Sequence, residues 1–502
     1  MKKILLTVLS LIAINNSSAS LPVNITNIIN QARYAHSVWA LYVKNLASQQ
    51  DKLTLNENLL IRPASGSKLF SVAALLDAYG FNARFNTPVY ALGSIDSQGV
   101  LHGNLILVGQ GDFVFGGRGA VNGNTIAYTA IDHVDANAVP GASLTPEDPL
   151  AGIQSLAKQI KQTGINTIDG DVLIDTRLFD NAVHRESVLS PIVINENLID
   201  ISISARAMGQ AAEINWRPQI KTMKVINHVV TGSKTAISIH ADSSGMQIEV
   251  KGSVAANAQS ILRTYPIKDP SAFVRTALIE ALTQQGVVMH LQAAQLPQPR
   301  HYQQLNPIAH LLSPPMIEYA KLILKVSQNF GANMIPVLLA SHHGKKTYDD
   351  GMHDLSQFFV NKVHIPANQI SFGDAAGGNG NYVTPMACMQ LLTYFYQLPA
   401  EDFAKIIYAL PILGVDGSLA SVAQNTAAKG KVFAKTGTNA EMNALTEGIF
   451  LDAKSLTGYY KNKEGQWQGF VIVVNSVPIA QIADALATGN DMGEMAARFY
   501  GD

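Results

Sequence analysis

The run Leu69–Leu76, "LFSVAALL", is apolar on nearly every face that a helix could present, and a lysine, Lys68, stands at its head. A helix that is hydrophobic all round has to lie inside a protein, so this stretch demands a core around it and draws Lys68 toward that core. A lysine one turn into a buried helix needs a partner, because desolvation favours its neutral form. Ser65 precedes it by three residues, and Gly80 is placed to end the helix. Two readings of the pair stand side by side. Either Ser65 caps the helix and Lys68 snorkels to water, or Lys68 is a base toward a serine at the positive end of the helix dipole.

A second Ser-x-x-Lys, Ser155–Lys158, shows what the spacing means without burial. There Leu150, Ile153, Leu156, Ala157 and Ile160 form an apolar stripe that leaves Ser155 and Lys158 facing solvent.

With 502 residues the chain is too long for one compact core. Hydrophobic residues make up 47% and charged residues 15%, a globular balance, and the net charge of −1 offers no electrostatic reason to expect nucleic acid or an anionic membrane. Lys2 and Lys3 precede the apolar run Ile4–Ile14, and Ser17 and Ala19 are placed for leader cleavage, so residues 1–20 read as a signal peptide. The run is too short to span a bilayer, and "IAQIADALA" near the C-terminus is too short to anchor one. The expectation is an exported, soluble protein of the periplasm or cell envelope. Cys388 is the one cysteine, set among apolar neighbours in "TPMACMQLL", so no intrachain disulfide forms. No Cys/His cluster has metal-site spacing, and neither a metal nor a cofactor is expected.

Val38–Leu46 reads as a strand with a partner near Lys52–Leu55. Strands flank the turn Asp96–Gly99, and Gly117–Gly141 is rich in loops. Helices are expected over Leu150–Thr163 and over Pro270–Gly286, with short strands between 213 and 262. From about 306 the chain is again helical and apolar, and it finishes with β-prone "SLTGYYKN" and "GFVIVVNS". Residues 21–85 and 306–502 are expected to form one α/β domain, with 86–305 inserted as two small modules.

Two further motifs give Ser65–Lys68 its weight. "KVSQNFGAN" places Ser327 and Asn329 within a helical segment, and "VFAKTGTNA" places Lys435, Thr436, Gly437 and Thr438 on a strand. Alone, each tripeptide reads as ordinary polar residues or a strand edge. In this order, with the first pair on a buried helix, they match the serine-acyl pattern of penicillin-binding proteins and β-lactamases. The chemistry needs such parts: Ser65 as nucleophile, Lys68 as base, and Ser327 to return the proton to the leaving amine. Asn329 can hold Lys68 and a substrate amide. Lys435 and Thr438 can meet a substrate carboxylate, Gly437 can let a ligand backbone lie against the strand, and the N–H groups of Ser65 and Thr438 can serve as oxyanion donors.

Ser65 and Ser327 lie 262 residues apart. With that separation the chain resembles the DacB-type D-alanyl-D-alanine carboxypeptidase/endopeptidase family, the class C low-molecular-mass penicillin-binding proteins. The likeness runs through "PASGSK", "GNLILVGQGD", "GDVLIDTRLF", "PIVINENLIDI", "LLSPPMIEYAKLILKVSQN", Val383–Pro385, "LPILGVDGSL" and "AKTGT". The resemblance implies a penicillin-binding, β-lactamase-like transpeptidase domain, an antiparallel sheet with helices, carrying a large inserted α+β region. It also implies a serine peptidase that cuts after the penultimate D-alanine of peptidoglycan stem peptides and that β-lactams acylate. A β-lactamase or esterase on the same scaffold, or a non-catalytic cell-wall binding protein, are the alternatives. The oligomeric state is not legible. Three departures stand out: Gln328 where the family usually has aspartate, a longer connection after Thr438, and "GDAAGGNGNYVTP" in place of an Asp-Gly-Ser-Gly-Leu-Ser run. The last suggests a loop, Asp374–Tyr382, that borders the cleft but offers substrate few fixed contacts.

Overall fold

The computed structural model describes residues 21–121, 123–184, 187–446 and 448–501. The leader expected at 1–20 lies outside them.

The sheet that organises the outer parts of the chain is five-stranded and antiparallel throughout. Its order is Val432–Met442, Ile449–Lys461, Trp467–Ile479, Val38–Asn45, Asp51–Leu55. The expected pairing of Val38–Asn45 with Asp51–Leu55 is present, Leu41 opposite Leu55. Period-two alternation sorts the side chains of these strands into two cores. Ala40, Tyr42, Val471 and Val473 face a cluster of helices, while Trp39, Leu41, Val43, Phe470, Ile472 and Val474 face the terminal helices Val23–Ile29 and Ile482–Gly501. Full burial of each aliphatic side chain contributes about 1.5–3 kcal/mol, and this two-sided sheet is buried along most of its length.

The helix Lys68–Tyr79 lies within the first core, buried continuously from Lys68 to Leu76, and Gly80 ends it at φ 83°. It packs with the helices Met316–Lys325 and Asn329–His342, themselves almost wholly buried. Between these two helices the structure departs from the expected continuous helix: Ser327 stands in the joint, at φ 61°, and Asn329 is the first residue of the next helix. A left-handed non-glycine residue costs about 1–3 kcal/mol unless its surroundings hold it there.

The intervening chain builds three larger sheets and a two-stranded ladder, Ala182–His184 with Ser187–Leu189. Val288–Leu291, Thr167–Gly170, Val100–Val108, Asn86–Ile95 and Ala309–Leu312 lie in that order, with Val172–Asp175 continuing the pairing along Val100–Val108. The helices Ala151–Gln162 and Pro270–Gln284 cover this sheet with an apolar stripe each. Glu213–Arg217, Leu198–Ser204 and Ile261–Pro266 form an antiparallel trio. Lys224–Gly232, Gln247–Ala255 and Ala236–Ala241 form a mixed one, in which the first two strands run parallel.

Two features near the C-terminus went beyond expectation. The extra residues after Thr438 lengthen both strands of a hairpin instead of forming a loose loop, pairing through to Met442 opposite Ile449. The "IAQIADALA" segment opens a 20-residue helix, Ile482–Gly501. No helix of the described residues is long and apolar enough to cross a membrane.

Candidate active site

Ser65 does not cap the Lys68 helix. It sits in a 3-10 turn, Ala64–Ser67, just ahead of it, and neither helix start has a side-chain cap. The turn is held from three sides. Gly66 N donates to Pro63 O at 3.0 Å, Ser67 Oγ donates to Ala64 O at 2.9 Å, and Ser455 Oγ reaches across from the sheet to Pro63 O at 2.6 Å. Asn475 clamps Arg62, two residues ahead of the turn, accepting from Arg62 N and donating to Arg62 O. Ser65 is half-buried.

Lys68 is 0% exposed, so it does not snorkel. Its Nζ lies 2.8 Å from Ser65 Oγ, 2.8 Å from Asn329 Oδ1 and 2.7 Å from Ala376 O. A neutral amine in this place can donate to Asn329 and to Ala376 and turn its lone pair to the Ser65 hydroxyl. The Asn329 amide is oriented from both ends, since its Nδ2 donates at 3.1 Å to Asp135 Oδ1. By contrast Ser155 is half-buried and Lys158 exposed on the outer face of their helix.

Ser327 accepts at 2.9 Å from Lys435 Nζ, which also donates to Thr436 O at 2.6 Å. Lys435 is wholly buried. Burial, reinforced by the positive charges of Lys68 and Lys454 and opposed by Asp135, holds its ammonium well below the usual lysine range. The Thr436 hydroxyl is engaged with Ser418 Oγ at 2.6 Å, which ties the strand to the "LGVDGSL" loop. Thr438 is exposed, and its Oγ1 accepts from Lys454 Nζ at 2.7 Å. This strand is the edge of its sheet. At Gly437 the space that a Cβ would fill is taken by protein: the Cβ would stand 2.2 Å from Ser455 Oγ and 2.4 Å from Pro63 O. The glycine lets the strand lie against the turn that carries Ser65, where the sequence suggested room for a ligand backbone.

The glycine-rich loop is also placed differently from the expectation. Ala375 and Ala376 are each 1% exposed, so the Ala376 side chain does not face the cleft. The loop wraps the back of the Ser65 turn, with Gly377 at φ 101° where a Cβ would fall 2.1 Å from Ala64 O and 2.7 Å from Ser65 N. Asp374 Oδ1 gathers the N–H groups of Ala376, Gly377 and Gly378 at 2.8–3.0 Å, and its other oxygen meets His184 Nε2 at 3.2 Å. Although burial opposes the charge, His184 and these backbone donors hold the Asp374 carboxyl well below the usual range. At its rim the loop meets the long hairpin: Asn379 bonds with Asn439 and Glu441.

The middle residue of the second motif has a structural partner. Gln328 is 0% exposed, caps the Asn329 helix by accepting from Gly331 N, and donates to Glu196 Oε1 at 3.2 Å. Glu196 belongs to a buried cluster with Arg118, Asp132, His133 and Asp200. An aspartate at 328 would bring a carboxylate toward Glu196, whereas the glutamine amide donates to it. Asn195, Glu196 and Asn197 are all left-handed, φ 52–55°, and the two asparagines stabilise that turn through bonds to Leu198 O and Val188 O. A cavity of about 270 Å³ opens beside Asn329, lined among others by Asp135, His184, Thr264 and Asn333.

Ser65, Lys68, Ser327, Asn329 and Lys435 are thus linked by direct hydrogen bonds into two groups, with Thr438 on the same strand as Lys435. Asp135, Ala376 O and Lys454 were not foreseen. Asp135 lies in a stretch without periodicity, and Ala376 acts through its backbone, so neither leaves a side-chain pattern. Lys454 was findable, being a lysine in an apolar strand whose hairpin register sets it opposite Thr438. No group of three or more His, Cys, Asp or Glu among the described residues could hold a metal ion.

The sequence profile of the D-Ala-D-Ala carboxypeptidase 3 (S13) family matches residues 21–498. A D-alanyl-D-alanine carboxypeptidase from Actinomadura sp. (strain R39) is 24% identical over 484 residues, 90% of this chain and 80% of that protein. A penicillin-sensitive carboxypeptidase A from Dictyostelium discoideum is 23% identical over 465 residues, 87% of this chain and 85% of that one. Among solved structures, penicillin binding protein 4 (dacB) from Haemophilus influenzae superposes with a TM-score of 0.72 at 19% identity, covering 95% of this chain and all of the other. The two share the fold.

Proposed function

The chain belongs to the D-Ala-D-Ala carboxypeptidase 3 (S13) family, and from that premise we propose a serine-type D-Ala-D-Ala carboxypeptidase and endopeptidase of peptidoglycan stem peptides. The observation that carries this reading is the wholly buried Lys68 amine within 2.8 Å of Ser65 Oγ, its other bonds going to Asn329 and the Ala376 carbonyl. In the proposed reaction Lys68 takes the Ser65 proton as Oγ attacks the carbonyl of the penultimate D-alanine. The C–N bond breaks, a proton returns through Ser327 to the leaving amine, and water then cleaves the ester. A β-lactam acylates the same oxygen.

Asn329 orients the amine and offers its remaining N–H to a substrate amide. Lys435, the hydroxyl of Thr438 and the edge strand that runs through Thr436 and Gly437 receive the carboxylate end. The Ser65 and Thr438 N–H groups act as the oxyanion donors. A binding protein without catalysis has no use for a lysine buried against a serine, which disfavours that alternative.

The same reading divides the chain into a catalytic domain, 21–85 and 306–502, and an inserted region, 86–305. It places the protein outside the cytoplasm, supported by the leader-like run ahead of the family match, which begins at residue 21. The test is release of D-alanine from a D-Ala-D-Ala pentapeptide and from a cross-linked dimer. Turnover by wild type and none by Ser65→Ala is the expected result; equal turnover by both would reject it.

A further inference from the structure

Lys454 has no assigned role, yet it sits where the proposed reading needs a charge. It lies directly opposite Thr438 in the antiparallel ladder, so the two side chains project on one face of the sheet. Its Nζ donates to Thr438 Oγ1 at 2.7 Å, and no carboxylate of the described residues lies within ion-pair distance of it. The same holds for Lys435, which lies close enough to feel the Lys454 charge. Lys435 on the edge strand and Lys454 on the strand beside it thus both lack a carboxylate of the described residues within ion-pair distance, which leaves positive charge at this end of the sheet uncompensated. The chain supports Lys454 from below, since its stem rests on the last helix at Gly489, where a Cβ would come 3.2 Å from Cε and 3.6 Å from Nζ.

An ammonium can only donate. While Lys454 occupies a lone pair of Thr438 Oγ1, the threonine proton has to point elsewhere, and Thr438 is exposed. On the proposed function, on which this rests, we propose that Lys454 is a positioning residue for the substrate carboxylate. It fixes the Thr438 hydroxyl as a donor toward that carboxylate and adds its own charge behind it. Burial, with no carboxylate of the described residues within ion-pair distance to offset it, pushes the Lys454 ammonium down to about 8. A carboxylate bound at Thr438 would supply the missing counter-charge.

The experiment is a kinetic cycle on a D-Ala-D-Ala tripeptide with wild type, Lys454→Met, Lys454→Arg, Thr438→Val and the Lys454→Met/Thr438→Val pair. Lys454→Met should lower kcat/KM about tenfold, the size of one charge-assisted hydrogen bond, with most of the change in KM. Lys454→Arg should restore most of it, and in the Thr438→Val background Lys454→Met should add less than its effect alone. An unchanged KM, or losses that simply multiply in the double variant, would overturn the inference. Where Lys454→Met does not fold, Gly489→Ala, which crowds the lysine tip, is read instead, with a raised KM expected and an unchanged one contradicting. Wild type that neither releases D-alanine nor takes up penicillin would fail the functional reading itself, a result distinct from a silent Lys454.

Discussion

The carbonyl oxygen of Ala376 lies 2.7 Å from Lys68 Nζ, and through it a glycine-rich loop that carries no catalytic side chain becomes part of the site. The next residue, Gly377, presses against Ala64 O and Ser65 N at distances that admit no Cβ. The loop therefore meets the Ser65 turn and Lys68 through its backbone.

From this contact follows the first prediction. Gly377→Ala has to move either the loop or the Ser65 turn, and a misplacement of about 1 Å at a reacting group can cost roughly a hundredfold in rate. The second-order rate of acylation by a fluorescent penicillin should fall by about that factor. Ala376→Ser, whose side chain is buried, should give no selective gain on a pentapeptide over a tripeptide; such a gain would mean that the loop reads substrate after all.

The Gln328–Glu196 bond yields a second prediction. Gln328→Glu replaces a donor with a carboxylate facing a buried carboxylate and should destabilise the protein by about 2 kcal/mol or more in urea denaturation. In a Glu196→Gln background Gln328→Glu should cost less than it does in the wild type. An equal cost in the two backgrounds would show that the two residues are not coupled.

Much of this site was legible because burial was legible. Leu69–Leu76 is apolar all round, which separated Ser65–Lys68 from Ser155–Lys158 on its amphipathic helix, and the β-prone stretches 38–45 and 469–476 are both strands of the sheet. What escaped depends on long-range placement. The joint at Ser327 is set by a left-handed backbone that apolar flanks conceal, and Asp135 meets Asn329 only through a contact between parts of the chain far apart in sequence. The cap by Gln328 needs Glu196, more than a hundred positions away, to make sense of it.

The buried cluster also predicts a pH profile. Burial opposes a charge on His133, but Asp200 and Glu196 outweigh it and raise its pKa to about 10, from an ordinary 6.5. For Glu196, burial is outweighed by Arg118 and His133, which lower it to about 2 from 4.5. The histidine term is thus fully present below about 6.5 and lost as pH rises through 10; the glutamate term is present above about 4.5 and lost as pH falls through 2. Thermal scans of wild type and His133→Gln should show the wild-type advantage shrinking between pH 6.5 and 10. An advantage that grows over that interval would contradict the charged cluster.

The central claim is that Ser65, activated by Lys68, is the residue that becomes acylated. Labelling with a fluorescent penicillin, followed by proteolysis and mass mapping, tests it on wild type, Ser65→Ala and Ser155→Ala. One penicilloyl group on the peptide containing Ser65, absent in Ser65→Ala and undiminished in Ser155→Ala, is the predicted result. A label on any other residue, or one that survives in Ser65→Ala, would contradict it.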